Sequence, residues 1–308
     1  MKKVLIASKS CSTGKGRDYI AKRLASAGVE AVFGRLTDRL SVLGDFQGMV
    51  IGMDAFGEDI LARAASLRFV LKFGVGVENI DLGAAERRGV KVRNMPGVNN
   101  DAVAEMAFAL MLSAARRLAE GDRQVRSGQW PRLVGRGLIG KTMGIVGTGA
   151  IGCRLARLAA GFDMRLRGFD PFENRAFAAL GGTYAALDEV LAEADVVSVH
   201  APLTEKTRRM IGARELSLMK PDAILVNTSR GPLVDEEALR AALETGRIFA
   251  AGLDVFEVEP AVGRPVTALD NLTSTPHIAA STRDTLERMD ETCVDIVIEE
   301  LGGRAGTA

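Results

Sequence analysis

A glycine-rich turn between an apolar run and a helical pattern is the feature that most restricts how this chain can fold. Gly147, Gly149 and Gly152 have the G-x-G-x-x-G spacing, directly after an apolar run and directly before residues 153–160, which have a helical pattern. Such glycines permit a tight turn, close approach of the backbone to a pyrophosphate and close packing of helix on strand. The helix N-terminus then points at the phosphates. The segment therefore predicts a dinucleotide-binding unit.

An acidic residue follows the glycines at the distance that this kind of site requires. Asp170 lies eighteen residues beyond Gly152, at the end of the apolar run 164–169. A carboxylate there accepts hydrogen bonds from a ribose 2′-hydroxyl and repels a 2′-phosphate. Pro171 and Phe172 follow, where an NADP site would place a cation. The sequence thus predicts NAD as the cofactor.

Length, charge and cysteine spacing exclude several classes of protein. A chain of 308 residues suits two domains. With 40 Lys plus Arg against 39 Asp plus Glu, the net charge of +1 gives no sign of binding to nucleic acid or to an anionic membrane. Cys11, Cys153 and Cys293 are too far apart in sequence to indicate a disulfide framework or a metal site. No apolar run suits a signal peptide or a membrane span, so we expect a cytoplasmic protein.

Short apolar runs alternate with helical patterns along the chain, which is typical of parallel sheets covered by helices. No linker rich in Pro, Gly or Ser separates the halves. Gly14-Lys15-Gly16 lacks the spacing of a phosphate-binding P-loop and is predicted to be a simple loop. Besides the elements around the glycine motif, the predicted strands are residues 4–7, 48–51, 68–72, 90–93, 195–200, 222–227, 249–255 and 272–275; the other predicted helices are 17–27, 58–65, 102–126, 236–245 and 283–301.

Three residues that follow apolar runs form a candidate catalytic group. His277 follows a strand-like run and Pro276, Glu259 follows the run ending at residue 255, and Arg230 follows the run ending at Asn227. If these runs are neighbouring parallel strands, the three side chains meet at one edge of the sheet. An arginine binds a carboxylate or carbonyl oxygen, a glutamate orients and charges the imidazole, and the histidine carries the proton. Combined with a dinucleotide site, the group predicts hydride transfer coupled to proton transfer.

The chain resembles the D-isomer-specific 2-hydroxyacid dehydrogenase family, in particular its D-3-phosphoglycerate-dehydrogenase-like branch, along nearly its whole length. The resemblance rests on these segments: residues 73–81 (Phe-Gly-Val-Gly-Val-Glu-Asn-Ile-Asp), 94–99 (Asn-Met-Pro-Gly-Val-Asn), 140–142 (Gly-Lys-Thr), the glycine motif, 200–204 (His-Ala-Pro-Leu-Thr), 227–231 (Asn-Thr-Ser-Arg-Gly), 252–256 (Gly-Leu-Asp-Val-Phe), 259–260 (Glu-Pro) and 276–277 (Pro-His).

The resemblance implies an α/β fold of two doubly wound parallel-sheet domains. A Rossmann cofactor domain, residues 99–281, is inserted into a flavodoxin-like substrate domain formed by residues 1–98 and 282–308. It also implies a homodimer that pairs through the cofactor domain. The implied reaction interconverts a small D-2-hydroxy acid and its 2-oxo acid, with NAD and without a metal.

The resemblance assigns roles to individual residues. Arg230 binds the substrate carbonyl and carboxylate, Glu259 raises the basicity of His277, and His277 protonates the carbonyl. The implied substrate-binding residues are Lys72, Val75, Gly76 and Asn99, with the backbone N–H groups near Val75 and Gly76 holding the carboxylate. The implied cofactor-binding residues are Gly147, Gly149, Ala150, Ile151, Gly152, Asp170, His200, Pro202, Thr207, Thr228, Ser229, Asp254 and Ala279.

Departures from the family pattern leave other substrates and functions open. Glu78 replaces the usual aspartate, and Ala279-Ala280 stands where glycines are common. Residues 51–54, Ile-Gly-Met-Asp, offer no arginine where phosphoglycerate-specific members often place a phosphate ligand, although Lys72 remains as a cation. The alternatives are an NAD-sensing scaffold like the C-terminal-binding corepressors, or a phosphite or formate type of dehydrogenase. Formate enzymes pair the histidine with glutamine, so Glu259 argues against them.

Overall fold

The computed structural model describes residues 2–11 and 14–302. They form two compact units. Of the described residues, those up to 99 and those from 281 onwards form the first unit, and residues 100–280 form the second. The second unit is thus inserted into the sequence of the first. The boundaries that the resemblance implies, between residues 98 and 99 and between residues 281 and 282, each lie one residue from these positions.

The first unit is built on a five-stranded parallel sheet with helices on both faces. The strand order is β2-β1-β3-β4-β5, the flavodoxin-like doubly wound order. Its strands are β1 (Lys2–Ile6), β2 (Val29–Phe33), β3 (Gly48–Ile51), β4 (Phe69–Lys72) and β5 (Lys91–Arg93). Its helices are α1 (Gly14–Ser26), α2 (Glu58–Leu61), α3 (Leu82–Arg87) and α11 (Arg283–Glu300). Successive residues of β1 enter opposite cores, with Val4 and Ile6 in one and Leu5 in the other.

The second unit is built on a seven-stranded parallel sheet in the order β12-β11-β10-β9-β6-β7-β8, which contains the Rossmann arrangement. Its strands are β6 (Thr142–Val146), β7 (Arg165–Phe169), β8 (Thr183–Tyr184), β9 (Val196–Val199), β10 (Ile224–Asn227), β11 (Ala250–Leu253) and β12 (Leu272–Ser274). Its helices are α4 (Asn100–Arg116), α5 (Leu118–Arg126), α6 (Ala150–Ala160), α7 (Arg175–Ala179), α8 (Leu187–Glu193), α9 (Ala213–Leu218) and α10 (Glu236–Glu244). The predicted fold class is confirmed.

Four central strands of the second unit are buried on both faces. All residues of β6, β9, β10 and β11 are buried, which is why their sequences are mostly apolar rather than alternating. One core contains Val146, Val197 and Leu225, and the other contains Ile145 and Val226. Polar residues therefore gather where the strands end, and the site lies at these ends.

Two local expectations from the sequence are wrong, and one strand was not predicted. Gly14-Lys15-Gly16 is the first turn of α1 rather than a loop. The predicted helix from residue 102 to 126 begins at Asn100 and is interrupted at Arg117, whose backbone has the left-handed φ of 52°. The sequence also gave no sign of β2, whose residues are mostly half-buried and do not form a continuous apolar run.

Two features are absent from the described residues. Within residues 2–11 and 14–302, no helix has the length and hydrophobicity needed to cross a bilayer. Across the same residues, no group of three or more His, Cys, Asp and Glu side chains is arranged to hold a metal ion.

Candidate active site

The three predicted catalytic residues lie after three adjacent strands of the second unit. β10, β11 and β12 are neighbours in the sheet and run parallel, so the loops that follow them leave from the same edge. Arg230 lies in the loop after β10, Glu259 in the loop after β11 and His277 in the loop after β12. Ligands bind at this carboxyl edge in open parallel sheets.

His277 and Glu259 form a hydrogen-bonded pair. His277 Nδ1 lies 2.7 Å from Glu259 Oε2, and the side chains are 36% and 30% exposed. Burial acts to raise the pKa of Glu259, but hydrogen bonds from His277 and from the Phe256 N–H, together with nearby Arg230, hold that pKa below its usual range. The carboxylate is therefore ionised at neutral pH and accepts a hydrogen bond from Nδ1–H. Nε2 is left as the atom that can exchange a proton with a ligand.

A buried aspartate fixes the loop that carries His277. Asp254 is fully buried, and its carboxylate accepts hydrogen bonds from Thr275 Oγ1 at 2.5 Å and from the N–H groups of Ile278 and Ala279, both at 2.8 Å. The His277 N–H donates to Asp254 O at 2.8 Å. These bonds hold His277 at a φ of 54°, which non-glycine residues seldom adopt. Asp254 thus positions the imidazole, a role that the sequence did not reveal.

The turn that carries Arg230 is fixed by Asn227, the last residue of β10. The buried Asn227 side chain accepts a hydrogen bond from Ser229 N at 3.0 Å and donates one to Arg230 O at 2.9 Å. Ser229 Oγ donates to Ala201 O at 2.8 Å. A side chain at Gly231 would overlap the Phe256 backbone, so only glycine lets this turn lie against the loop after β11.

The glycine motif has the geometry that its spacing predicts. A Cβ at Gly147, where φ is 96°, would lie 2.6 Å from His200 C, and a Cβ at Gly152 would overlap Gly147 O. A Cβ at Gly149 would meet no atom within 4 Å, so open space lies beside it. Gly149 is the N-cap of α6, and Ala150 and Ile151 begin that helix. The cradle next to this helix N-terminus is suited to a pyrophosphate.

Two buried polar atoms near this edge lack a partner among the residues that the structure describes. His200 Nε2 lies 2.8 Å from Ser198 Oγ, but Nδ1 is buried without a hydrogen bond, as is Thr228 Oγ1. Burial lowers the pKa of His200 to about 4, so its imidazole is neutral at physiological pH. Unsatisfied buried groups are costly, and a bound ligand would satisfy them. These atoms and the open cradle fit a dinucleotide.

The remaining predicted cofactor residues lie in the loop after β9 and at the end of β7. Thr207 Oγ1 donates to Pro202 O at 2.6 Å and accepts from Thr204 N at 2.8 Å, which closes the loop after β9. Asp170 Oδ2 accepts from Thr148 N at 2.8 Å, and Oδ1 accepts from Phe172 N at 3.0 Å. Each carboxylate oxygen of Asp170 retains a lone pair for a ribose hydroxyl.

Lys72 has partners that the sequence did not foresee. Its side chain is buried, and Nζ donates to Gly52 O at 2.6 Å, to Asn79 Oδ1 at 3.0 Å and to Met53 Sδ at 3.5 Å. An ammonium has three N–H donors, and protein atoms take all of them. Lys72 therefore joins the loop after β3 to the loop after β4, instead of directing a donor towards a substrate phosphate.

The glycine-rich loop after β4 is held at both sides. Asn79 Nδ2 donates to Asp54 O at 2.6 Å, and Asn94 Nδ2 donates to Val75 O at 2.6 Å. Among the described residues, the structure gives no hydrogen bond from the N–H groups of Val75 and Gly76, which makes them available to an anion. Asn99, the last residue before the second unit, has a buried Oδ1 that no described residue hydrogen-bonds.

Comparison with known proteins gives one family. Residues 108–279 match the model described as "D-isomer specific 2-hydroxyacid dehydrogenase, NAD binding domain". A glyoxylate reductase of Thermococcus litoralis is 44% identical over 248 residues, which cover 77% of this chain and 75% of that protein. A D-3-phosphoglycerate dehydrogenase of Archaeoglobus fulgidus is 42% identical over 230 residues, which cover 73% of this chain and 44% of that protein. The crystal structure of the TT0316 protein from Thermus thermophilus has a TM-score of 0.88 at 38% identity, covering 98% of this chain and 97% of that one.

Proposed function

Because this chain belongs to the D-isomer-specific 2-hydroxyacid dehydrogenase family, we propose that it reduces a small, unphosphorylated 2-oxo acid, of the glyoxylate and hydroxypyruvate class, with NADH. Its family membership makes it an NAD-dependent oxidoreductase that acts on 2-hydroxy acids. The observation that carries the proposal is the His277–Glu259 pair, 2.7 Å apart, at the sheet edge that also carries Arg230. A proton carrier and an anion-binding guanidinium beside a dinucleotide cradle are what reduction of an oxo acid requires.

The proposed chemistry assigns one task to each of the three side chains. When bound, NADH supplies the hydride that reduces the carbonyl carbon. His277 donates a proton from Nε2 to the carbonyl oxygen, and Glu259 stabilises the imidazolium through Nδ1. Arg230 binds the substrate carboxylate through its guanidinium fork. In the reverse direction, neutral His277 removes the hydroxyl proton.

The proposed cofactor residues hold different parts of the dinucleotide. The N-terminus of α6, with Gly149 to Gly152, would hold the pyrophosphate. Asp170 would accept the ribose hydroxyls, and His200 Nδ1 and Thr228 Oγ1 would gain the partners that they lack. His200 is unsuited to proton transfer near pH 7 because burial lowers its pKa to about 4.

The bonding of Lys72 supports a substrate without a phosphate. Lys72 was the cation that the sequence offered for a phosphate, but its donors are taken by Gly52, Met53 and Asn79. The Thermococcus litoralis relative is named a glyoxylate reductase, which agrees with a small substrate. Within the first unit, the N–H groups of Val75 and Gly76, for which the described residues provide no hydrogen bond, are proposed to bind a carboxylate.

The test is NADH oxidation by the purified protein with glyoxylate, hydroxypyruvate, pyruvate and phosphohydroxypyruvate. We expect the highest kcat/KM with glyoxylate or hydroxypyruvate, and Arg230→Lys should lose most of this activity because an ammonium cannot form the two-pronged contact. A preference for phosphohydroxypyruvate would contradict the proposed substrate class. NADH binding without turnover of any acid would favour the NAD-sensing scaffold.

We also propose that two copies of the chain pair through the second unit. Five apolar side chains within residues 118–139 are more than half exposed: Leu118, Val125, Trp130, Val134 and Ile139. Residues 127–139 run back along α4 and α5, since Arg136 N donates to Ala115 O at 2.7 Å and a Cβ at Gly121 would lie 3.6 Å from Leu133 Cδ1. Concentrated exposed apolar side chains mark an interaction surface.

A cytoplasmic location remains an expectation from the sequence.

A further inference from the structure

One side-chain hydroxyl and one backbone N–H meet at a tyrosine hydroxyl beside the glycine motif. Tyr184 OH lies 2.7 Å from Thr148 Oγ1 and accepts a hydrogen bond from Asn174 N, also at 2.7 Å. Thr148 belongs to the glycine motif, whereas Asn174 belongs to the loop that begins at Asp170. We propose that Tyr184 is a positioning residue for cofactor selection, because its hydroxyl locks the Asp170 loop against the glycine loop.

The sheet places Tyr184 where both loops are within reach. Tyr184 is paired with Gly168 in the β7–β8 register, and Ala185 N donates to Gly168 O at 3.1 Å. A Cβ at Gly168 would lie 2.9 Å from Thr148 Cγ2 and 2.6 Å from the Phe177 ring. The missing side chain therefore lets Thr148 and Phe177 approach β7. The Phe177 and Tyr184 rings lie 5.3 Å apart, which fixes the direction of the phenol.

Two more hydrogen bonds join the same loops. Asn174 Nδ2 donates to Thr148 O at 2.9 Å, and Thr148 N donates to Asp170 Oδ2 at 2.8 Å. Thr148 is fully buried, so water cannot replace the tyrosine hydroxyl as a partner of its Oγ1. Both Thr148 and Asn174 are therefore held by Tyr184, and Thr148 in turn holds the carboxylate of Asp170.

This arrangement makes the discrimination between NADH and NADPH depend on how rigidly the Asp170 loop is held. A carboxylate that cannot turn away keeps its charge where a 2′-phosphate would lie and keeps its lone pairs aimed at a 2′-hydroxyl. Without the Tyr184 hydroxyl, the Asp170 loop gains freedom. NADH then loses ordered acceptors, whereas NADPH is repelled less. The inference rests on the proposed role of Asp170.

The test is calorimetric titration of the full-length protein with NADH and with NADPH. In Tyr184→Phe, we expect the Kd for NADH to rise about fivefold to tenfold, which corresponds to about one lost hydrogen bond. The Kd for NADPH should change less than about twofold. The selectivity ratio, which is the Kd for NADPH divided by the Kd for NADH, should fall accordingly. Tyr19→Phe is the matched control, since Tyr19 is the only other tyrosine and lies on α1 in the first unit; both affinities should be unchanged.

A double-mutant cycle separates positioning from general loosening. If Tyr184 acts through Asp170, adding Tyr184→Phe to Asp170→Ala should leave the selectivity ratio of Asp170→Ala unchanged. Equal weakening of both cofactors, or a shift of the same size in the Asp170→Ala background, would overturn the inference. If Tyr184→Phe does not fold, Thr148→Val removes the other hydroxyl of the pair and should give the same result.

The same titrations distinguish this inference from the role of Asp170. If Asp170→Ala leaves the ratio of the two affinities unchanged, Asp170 does not discriminate, and the inference about Tyr184 fails with it. If Asp170→Ala changes the ratio and Tyr184→Phe does not, only the inference about Tyr184 fails.

Discussion

At the scale of single residues, the proposed chemistry depends on which nitrogen atoms of His277 hydrogen-bond to the protein. Nδ1 is paired with Glu259, and the backbone N–H is bonded to Asp254 O. Nothing in the described residues hydrogen-bonds to Nε2. The imidazole is thus held firmly at one nitrogen and left reactive at the other, which is the arrangement of a general acid.

Replacement of His277 by alanine should abolish turnover while leaving cofactor binding intact. We expect kcat to fall about 10²-fold to 10⁴-fold, the usual contribution of a general acid, with the Kd for NADH nearly unchanged. Glu259→Gln should lose less, and the double variant should lose no more than His277→Ala, because the two side chains act as a unit. Steady-state kinetics and NADH titration check this; full activity in His277→Ala would refute the assignment.

At the scale of elements, the contact between α1 and α11 contains a buried carboxyl. Asp290 of α11 lies against Gly16 of α1 and is only 8% exposed, and its Oδ1 has no hydrogen-bond partner within residues 2–11 and 14–302. Burial, with a smaller effect of the charge on Glu287, raises the pKa of Asp290 to about 6. An acid whose pKa is higher in the folded state than in the unfolded chain stabilises the fold only while it is protonated.

The first unit should therefore lose stability as the pH rises from about 4 to about 6, where the unfolded chain ionises before Asp290 does. Asp290→Asn removes this loss. Relative to the parent protein, we expect the variant to gain about 1–2 kcal/mol of unfolding free energy between pH 4 and pH 7, after allowance for solvent screening. Denaturant melts at both pH values measure the gain, with Glu287→Gln as a control of smaller effect. A difference that does not change with pH would contradict the prediction.

At the scale of the whole molecule, the exposed apolar side chains of residues 118–139 predict self-association. Trp130 is 89% exposed and Ile139 is 74% exposed. Light scattering should give about twice the chain mass of 32.7 kDa. Ile139→Asp should shift the protein towards the monomer, because a carboxylate in an apolar interface is desolvated without a partner.

A matched control is available for this measurement. Val262 is 91% exposed and lies outside residues 118–139, so Val262→Asp should leave the mass unchanged. A monomeric parent protein, or an equal effect of both substitutions, would argue against pairing through this segment.

The sequence predicted some strands, helices and positions of candidate site residues correctly and missed others. Continuous apolar runs indicated the buried strands β3, β6, β9, β10 and β11, but β2 was missed because a half-buried strand has no such run. The break between α4 and α5 was missed because Arg117 has no side-chain signature for a left-handed backbone. His277, Glu259 and Arg230 were identified from their positions after apolar runs, since adjacent parallel strands bring such positions to one edge.

The sequence by itself determined the glycine turn, the order of its strand and helix, and the acid at residue 170. These features depend on steric limits within a few residues and on spacing along one βαβ unit. Only the tertiary structure decided the partners of Lys72, whose ammonium group donates hydrogen bonds to Gly52, Met53 and Asn79. It also decided that Asp254 holds the His277 loop and that Tyr184 joins Thr148 to Asn174. The partners in these contacts are up to 36 residues apart. They meet only once strand register and loop path are set, and no local pattern encodes those.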